Sequence, residues 1–494
     1  MHEIQLTNGK HGHTLNATQI FSPDGKWLVF DTRNDDTHIS RTGSICKLNI
    51  TTKEIIEIYK TKNQSIYGPG VGAAAWNPVN DQIIFIHGLL NCDKEKPYSF
   101  TRRFGGVISG NHKDNENAEG VHQQCQDIIP QQCHHAESRC IQEPLTKGAL
   151  RGGTHAHTWS ADGKWISFTY NDYLMECLEK TSSSERKDLR TIGMMTMVEN
   201  IHEDHEAGEN AEIGVRQQCP EENFRGTYFA VVAAEVTENP KFGSDEIERA
   251  FDECWLGKNG YTKDDSTVHN ASQQTRAIAF QGNVRSQDGT LVTEVFIADI
   301  PNDITQSLAG KPLEGTLSTR PNIPAGFTQR RITFTTERKH PGLQGPRFRL
   351  RSSADGSLIY FLMKDDNDIV QIYSVSSAEN TKNIIINQPP KQITNFKHSV
   401  QSQFNLSPDD KYISVVSNNQ IYLVSTQDET TAQRAASWPQ DGSMTSIGEK
   451  YNEREAPING VHWSPDSKSL IYNRYVFIED DYYIQIFKRL IPSM

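Results

Sequence analysis

The sequence predicts an all-β fold, a β-propeller of about seven blades, and three observations carry that reading. A turn of the form Ser-Pro/Ala-Asp-Gly, entered from an aromatic or apolar residue and left into a hydrophobic strand, recurs along the chain: Phe21 to Phe30, Trp159 to Phe168, Ser353 to Phe361, Leu406 to Val415 and Trp463 to Tyr472. A third strand follows several copies, as at Gln371–Val375, Gln420–Val424 and Tyr483–Phe487. In the second half the turns recur about every 55 residues, the spacing of a unit of four short strands.

Each element has a physical reason. Proline pre-sets φ at the first turn position, Asp bonds back to the backbone, and Gly takes the conformation other residues avoid, so the turn closes a tight hairpin. Gln5 to Asn8 precedes the first turn much as Gln392 to Asn395 precedes the sixth. The latter should be the outer strand of the fifth blade, and Glu3 to Thr7 by analogy the outer strand of the last, beside Tyr483 to Phe487. A looser copy of the turn, Trp76-Asn77-Pro78, opens the second blade. Residues 89–150 then form a polar excursion rich in Gln, Asn, His and Cys, and 176–223 a second, charged one. One blade lacks the turn and is assembled from Tyr228–Ala233, Arg276–Phe280 and Glu294–Asp299. Between its first two strands, Gly243 to Phe251 reads as a short helix capped by Ser244, with Ile247, Ala250, Phe251 and Cys254 at helical spacing.

Composition agrees with many short strands and polar turns. Of 494 residues 35% are hydrophobic and 9% aromatic, and the mean hydropathy is -0.62. A net charge of -12 excludes a nucleic-acid backbone as the main partner. No apolar run reaches the roughly 18 residues of a membrane span, and the N-terminus lacks signal-peptide order. The chain as written is expected in the cytoplasm, or in the periplasm if a signal segment was removed. The 8 cysteines lack paired CxxC spacing and read as thiols, with a disulfide inside 89–150 open in an oxidising compartment.

Innermost strands converge on the propeller axis, so polar residues on them can meet. His155 and His157 are two apart on a strand and should share a face, the geometry a divalent metal (Mn, Zn or Ca) wants, with His462, His340 or His398 as a third ligand. The alternative is histidines that hydrogen-bond across blade interfaces; His11 and His13 are a weaker pair. Arg347, Arg349 and Arg351 alternate after a Gly/Pro-rich approach and suit a bidentate carboxylate clamp or, equally, ion pairs between blades. Gln19, Gln401 and Gln403 occupy similar places. Gly152 and Gly153, after Arg151, would let a ligand approach the backbone. The chain has no GxSxG, HExxH or nucleotide-binding fingerprint, which excludes the commonest hydrolase, zincin and dehydrogenase plans.

The Ser-Pro-Asp-Gly-Lys turns resemble those of TolB-like, WD40-like (PD40) propellers over nearly the whole chain. Within that group Gly148–His157 (GALRGGTHAH), Asp188–Gly193 (DLRTIG), Gly243–Ile247 (GSDEI) and Lys339–Arg347 (KHPGLQGPR) are similar to an uncharacterised bacterial family labelled biopolymer-transporter Tol-like. A more distant resemblance is to oligogalacturonate lyases, seven-bladed propellers that hold a divalent metal on channel-mouth histidines. His155 and His157 match that pair loosely, and Gly152 stands where the lyases carry glutamine. The resemblance implies a metal-assisted, lyase-like carbohydrate enzyme or a binder of an anionic saccharide. In it His155, His157 and His462 would hold the metal, Arg349 and His340 would serve catalysis, and Arg347, Arg151 and Gln403 would bind substrate. The alternative is a non-catalytic propeller that displays its loops to a protein partner.

Overall fold

The Ser-x-Asp turn closes through the same bonds in each copy. Ser22 Oγ donates to Asp24 Oδ1 at 2.6 Å, and the amides of Lys26 and Trp27 donate to Asp24 Oδ1 and Ser22 Oγ at 3.1 and 3.0 Å. Ser160, Ser353, Ser407 and Ser464 repeat the Ser-to-Asp bond at 2.5 to 2.7 Å. Each turn needs one left-handed residue, supplied by Gly25, Gly163 and Gly356 and, in the last two copies, by Asp410 and Ser467. At Gly163 the need is double, because a Cβ would come within 2.4 Å of Asn77 Oδ1 on the preceding blade.

The turns organise seven sheets, seen in a computed structural model that describes residues 3–491 except 17, 36, 112–132, 182–187, 199–221, 264–271, 347–349, 379–388 and 427–443. Blade 1 holds Trp27–Asp31, Ser44–Asn49 and Ile55–Lys60, with single bridges from Thr14 and Phe21 standing for its inner strand. Blade 2 runs through Val71–Trp76, Gln82–Gly88, Arg103–Ser109 and His134–His135. Blade 3 follows with Gly152–Trp159, Trp165–Asp172, Thr191–Thr196 and Phe229–Val232. Blade 4 holds Ile247–Trp255, Ala277–Arg285, Leu291–Asp299 and Thr328–Arg331. Blade 5 holds Arg351–Ser352, Leu358–Lys364, Val370–Ser376 and Lys391–Gln392, and blade 6 Asn405–Leu406, Tyr412–Ser417, Gln420–Ser425 and Met444–Ile447. Blade 7 takes Ile458–Trp463, Ser469–Ile478 and Asp481–Leu490 and is completed by Glu3–Gln5.

Packing is between blades rather than within one central core. Seven apolar clusters each join residues of two successive blades, the last bringing Leu28 and Phe30 of blade 1 against Ile471 and Ile486 of blade 7. Inner-strand tryptophans fix the blades' relative height: Trp159, Trp255 and Trp463 each donate an indole N–H to a carbonyl of the preceding blade, those of Ala75, Thr158 and Asn405.

Ring closure follows the predicted joint. Glu3, Ile4 and Gln5 pair antiparallel with Arg489, Lys488 and Phe487. Glu3 locks it, accepting from the Tyr451 and Tyr472 hydroxyls at 2.5 Å each, from Arg489 at 3.3 Å and from Arg474. Burial alone would raise this carboxyl, but the two hydroxyls and two guanidinium charges outweigh it and hold Glu3 below its ordinary value. A carboxylate with a lowered folded pKa stabilises above its unfolded value of about 4.5 and loses that contribution as pH falls. Glu3→Gln is therefore expected to cost about 2 kcal/mol at pH 7 in urea unfolding and markedly less at pH 3.5.

Four inner strands carry the same irregularity. Register shifts lie between Gly72 and Ala75, His155 and Thr158, Phe251 and Cys254, and Ile458 and Val461. Within each gap one residue adopts positive φ: Ala73 (55°), Ala156 (59°), Asp252 (50°) and Asn459 (60°). These are β-bulges, which insert a residue and re-aim the side chains that follow.

The bulges account for two differences from the sequence reading. Residues expected to form a helix at 243–251 instead enter the inner strand of blade 4, Ile247–Trp255. That strand has two register shifts, so its buried positions Ile247, Ala250 and Cys254's neighbour Glu253 fall about three apart and imitate a helical stripe. Consequently Phe229–Val232 belongs to blade 3 as its outer strand and does not open blade 4. The excursion expected at 176–223 contains the third strand of blade 3, preceded by a helix at Tyr173–Thr181. The one at 89–150 contains Arg103–Ser109 and His134–His135 of blade 2. Cys92, Cys133 and Cys140 are free thiols, and Cys125 lies outside the described residues.

Candidate anion site on the rim of blades 2 to 4

In an antiparallel blade the start of the inner strand, the end of the second, the start of the third and the end of the fourth share one rim. On blades 2 to 4 that rim gathers arginines from distant parts of the chain. Arg103 begins the third strand of blade 2, Arg190 directly precedes the third strand of blade 3, and Arg249 lies near the start of the inner strand of blade 4. Phe100, 58% exposed, stands among them, its ring centre 4.9 Å from the Arg103 guanidinium and 5.3 Å from that of Arg190. Gly153 permits this approach: a Cβ there would sit 2.1 Å from the Phe100 carbonyl oxygen and 2.9 Å from Arg103 Cγ. The small residue expected to admit a ligand thus admits the Phe100 loop.

Around Arg190 the charges of Arg249 and Arg103 stand against those of Asp252 and Asp188. Arg103 is 3% exposed and donates through Nη1 to the Tyr98 hydroxyl at 3.1 Å, while its Nε and Nη2 have no hydrogen-bond partner. Arg190 donates to Asn171 Oδ1 at 3.1 Å. Burial, with the charges of Arg249 and Arg103, pulls Arg190 down to about 10 against the opposing pull of Asp252 and Asp188. Burial pushes Asp188 up to about 6.

Behind Arg103 lies a buried chain of three polar side chains. Thr154 Oγ1 donates to Glu137 Oε1 at 2.6 Å, the Gly105 amide donates to Glu137 Oε2 at 3.1 Å, and His157 Nε2 lies 2.9 Å from Thr154 Oγ1. With the threonine proton donated to Glu137, Nε2 is the donor to Thr154. Burial pushes Glu137 up to about 7; burial, joined by the charge of Arg103, pulls His157 down to about 3.

The residues expected to form the site separate. The bulge at Ala156 breaks the two-residue alternation, so His155 is partly exposed while His157 is fully buried, and the pair does not present both imidazoles to one point. His462, on blade 7, is 6% exposed and pulled down to about 3 by burial and by the nearby charge of Arg351. Among the described residues no three His, Cys, Asp or Glu side chains are grouped to hold a metal ion. Thr154 holds His157 Nε2, and the charge of Arg351 neighbours His462.

Arg151 does not belong to a ligand site either. It is fully buried, its Nε and Nη2 donate to Asp172 Oδ2 at 3.0 and 2.6 Å, and its Nη1 donates to the Thr316 carbonyl. His340 lies 3.8 Å from Asp368 of blade 5. Arg347 and Arg349 lie outside the described residues; Arg351 donates to Asn405 Oδ1 at 2.9 Å, an inter-blade bond. Gln19 clasps the backbone of Trp159, through Nε2 to its carbonyl at 2.7 Å and through Oε1 from its amide at 2.9 Å. Gln403 is buried beside a cavity between blades 6, 7 and 1.

The chain is 32% identical over 472 residues to the uncharacterized protein YidR of Escherichia coli (strain K12), covering 95% of this chain and 94% of that one. It belongs to the YidR family. A family model described as a protein of unknown function (DUF3748) matches residues 70–210, a span that contains Phe100, Arg103 and Arg190 of this YidR-family chain. Among solved structures it is similar to an oligogalacturonate lyase in complex with manganese, at 9% identity and TM-score 0.47, covering 99% of this chain and 93% of the other. TolB from Acinetobacter baumannii matches at 13% and 0.32, over 81% and 61%. The β-propeller domain of the Trilobed protease from Pyrococcus furiosus matches at 10% and 0.42, over 97% and 95%. No helix among the described residues is long and apolar enough to cross a membrane.

Proposed function

We propose that the rim of blades 2 to 4 binds a small carboxylated ligand of the uronate-saccharide class. The observation that carries the reading is the placing of two guanidiniums against one exposed ring, that of Arg190 on a partly exposed side chain. A guanidinium fork matches a carboxylate, and a partly desolvated one gains more from it than a solvated one would. Phe100 offers a flat apolar face on which a pyranose can lie.

Elimination across a uronate would need a group to accept the α-proton and positive charge to stabilise the enolate. On this rim the arginines, which stay protonated, supply the charge, and the partly exposed His155 two residues after Gly153 would take the α-proton and return one to the departing glycosidic oxygen as the C–O bond breaks.

Calorimetric titration with oligogalacturonate and with a neutral oligosaccharide of equal length tests the binding. The acidic ligand is expected to bind at least tenfold tighter, with affinity falling as salt rises and falling about a hundredfold in Arg190→Ala. Equal affinity for both ligands, or an Arg190→Ala protein that binds as the parent does, sinks the proposal. Absorbance of unsaturated uronate in the same samples reads turnover separately from binding.

A further inference from the structure

A guanidinium carries only donors, so whatever fixes Arg190 on the rim must present an acceptor to it. That acceptor is Asn171, 6% exposed and next to last in the second strand of blade 3, whose Oδ1 takes the Arg190 Nε proton at 3.1 Å. Its other amide atom is committed as well: Asn171 Nδ2 donates to Asp188 Oδ2 at 2.9 Å. Asp188 is held in turn, its Oδ1 accepting from the Asp172 amide at 2.9 Å and its own amide donating to Glu179 Oε2 at 3.0 Å. The chain of bonds from Asp188 through Asn171 to Arg190 ends against the Phe100 ring, 5.3 Å from the guanidinium, and Asn171 pairs with Gly153, on which the Phe100 loop packs.

The direction of this chain depends on one charge. An ionised Asp188 accepts from the Asn171 NH2 and so leaves Oδ1 for Arg190. A proton added to Asp188 goes to Oδ2, because Oδ1 faces an amide N–H. Oδ2 then donates, the Asn171 amide turns to accept, and its NH2 meets the Arg190 Nε–H, donor against donor. Asp172, itself paired with Arg151, and Glu176 and Glu179 of the helix Tyr173–Thr181 face Asp188, while Arg103, Arg249 and Asp252 act on Arg190. Burial pushes Asp188 up to about 6, so the change falls near neutral pH.

We propose, resting on the reading of the rim as a carboxylate site, that Asn171 is its positioning residue and ionised Asp188 sets it, so that a proton on Asp188 releases Arg190 and weakens carboxylate binding. Charge alone predicts the reverse, since protons gained by Asp188, by Glu137 behind Arg103 or by His155 add positive charge to the rim and would tighten an anion.

Calorimetric titration of the full chain with oligogalacturonate at pH 7.5 and 5.5, with circular dichroism confirming the fold at both, tests it. The parent is expected to bind about threefold more weakly at pH 5.5. Asp188→Asn, whose NH2 meets Asn171 as a protonated carboxyl would, and Asn171→Leu should each bind about tenfold more weakly than the parent at pH 7.5, and without that further fall. The Arg190 Nε–H NMR signal, assigned by its loss in Arg190→Lys, reads the chain without ligand: it should be protected from exchange in the parent at pH 7.5, and exposed at pH 5.5 and in Asp188→Asn. Tighter binding by the parent at pH 5.5, an Asp188→Asn protein that keeps the parent's affinity and pH profile, or an Arg190 signal indifferent to Asp188→Asn overturns the proposal. If the signal responds as expected but no oligogalacturonate binds, the positioning of Arg190 is supported and the carboxylate reading of the rim fails.

Discussion

Acidification from pH 6.5 to 4.5 should lower the stability of this propeller by about 3 kcal/mol per pH unit, most of what a typical domain has to lose. His13, His87, His157 and His462 are each at most 6% exposed, and burial pulls them from an ordinary 6.5 to about 4, 4, 3 and 3. The bonds around His87 show why it stays neutral: the ring lies 2.8 Å from the Tyr59 hydroxyl and 2.5 Å from the Gly88 carbonyl, a donor on one side and an acceptor on the other. Below pH 6.5 the unfolded chain takes up four protons that the folded chain refuses, so stability falls as pH falls.

Two acids oppose the trend. Glu137 and Asp188, pushed up to about 7 and 6 by burial, bind protons in the folded state at pH values where the unfolded chain does not. Among these six groups the difference is about two protons, and at about 1.4 kcal/mol per proton and pH unit it gives at least the slope stated, because His135, pulled down to about 3 by burial, adds in the same sense. Urea midpoints measured across this window check it. His462→Gln should flatten the slope by about one proton, because one refused proton is gone. Glu137→Gln should steepen it by about one, because one offsetting acid is gone. A flat profile, or variants that shift in the opposite sense, would show that these groups do not control the transition.

Arg151→Met is expected to destabilise by about 4 kcal/mol while leaving ligand preference intact. The guanidinium and Asp172 form a two-pronged ion pair with neither side chain more than 3% exposed, and the third donor reaches Thr316 across the chain. Removing the arginine strands the carboxylate, whose Oδ2 also accepts from the Tyr170 hydroxyl at 3.1 Å. Arg151→Met combined with Asp172→Asn should recover part of the loss, because the asparagine oxygen still caps the Met175 amide and no buried charge remains. By contrast Arg190→Ala, at a partly exposed position, should change the urea midpoint little and carboxylate binding greatly. If Arg151→Met altered the ratio of acidic to neutral ligand affinity, the ion pair would not be purely structural.

The sequence alone determined the repeat, the blade number and the closing strand. Those depend on local turn chemistry: Ser-x-Asp bonds span two residues and fix a hairpin wherever they occur, and seven hairpin units that cannot bury their faces alone must stack. It also marked Gly153, Arg151 and His157 as unusual positions, without their roles. The tertiary structure decided what those residues do. A single inserted residue at Ala156 turns His157 away from His155, and two such insertions made a strand at 247–255 read as a helix. The arginine rim left no trace in the pattern, because Arg103, Arg190 and Arg249 are separated by 87 and 59 residues and meet only where three blades share an edge. Periodicity reports which face of one strand is buried; it carries no information on which rim residues of neighbouring sheets face one another, and the ligand site depends on that.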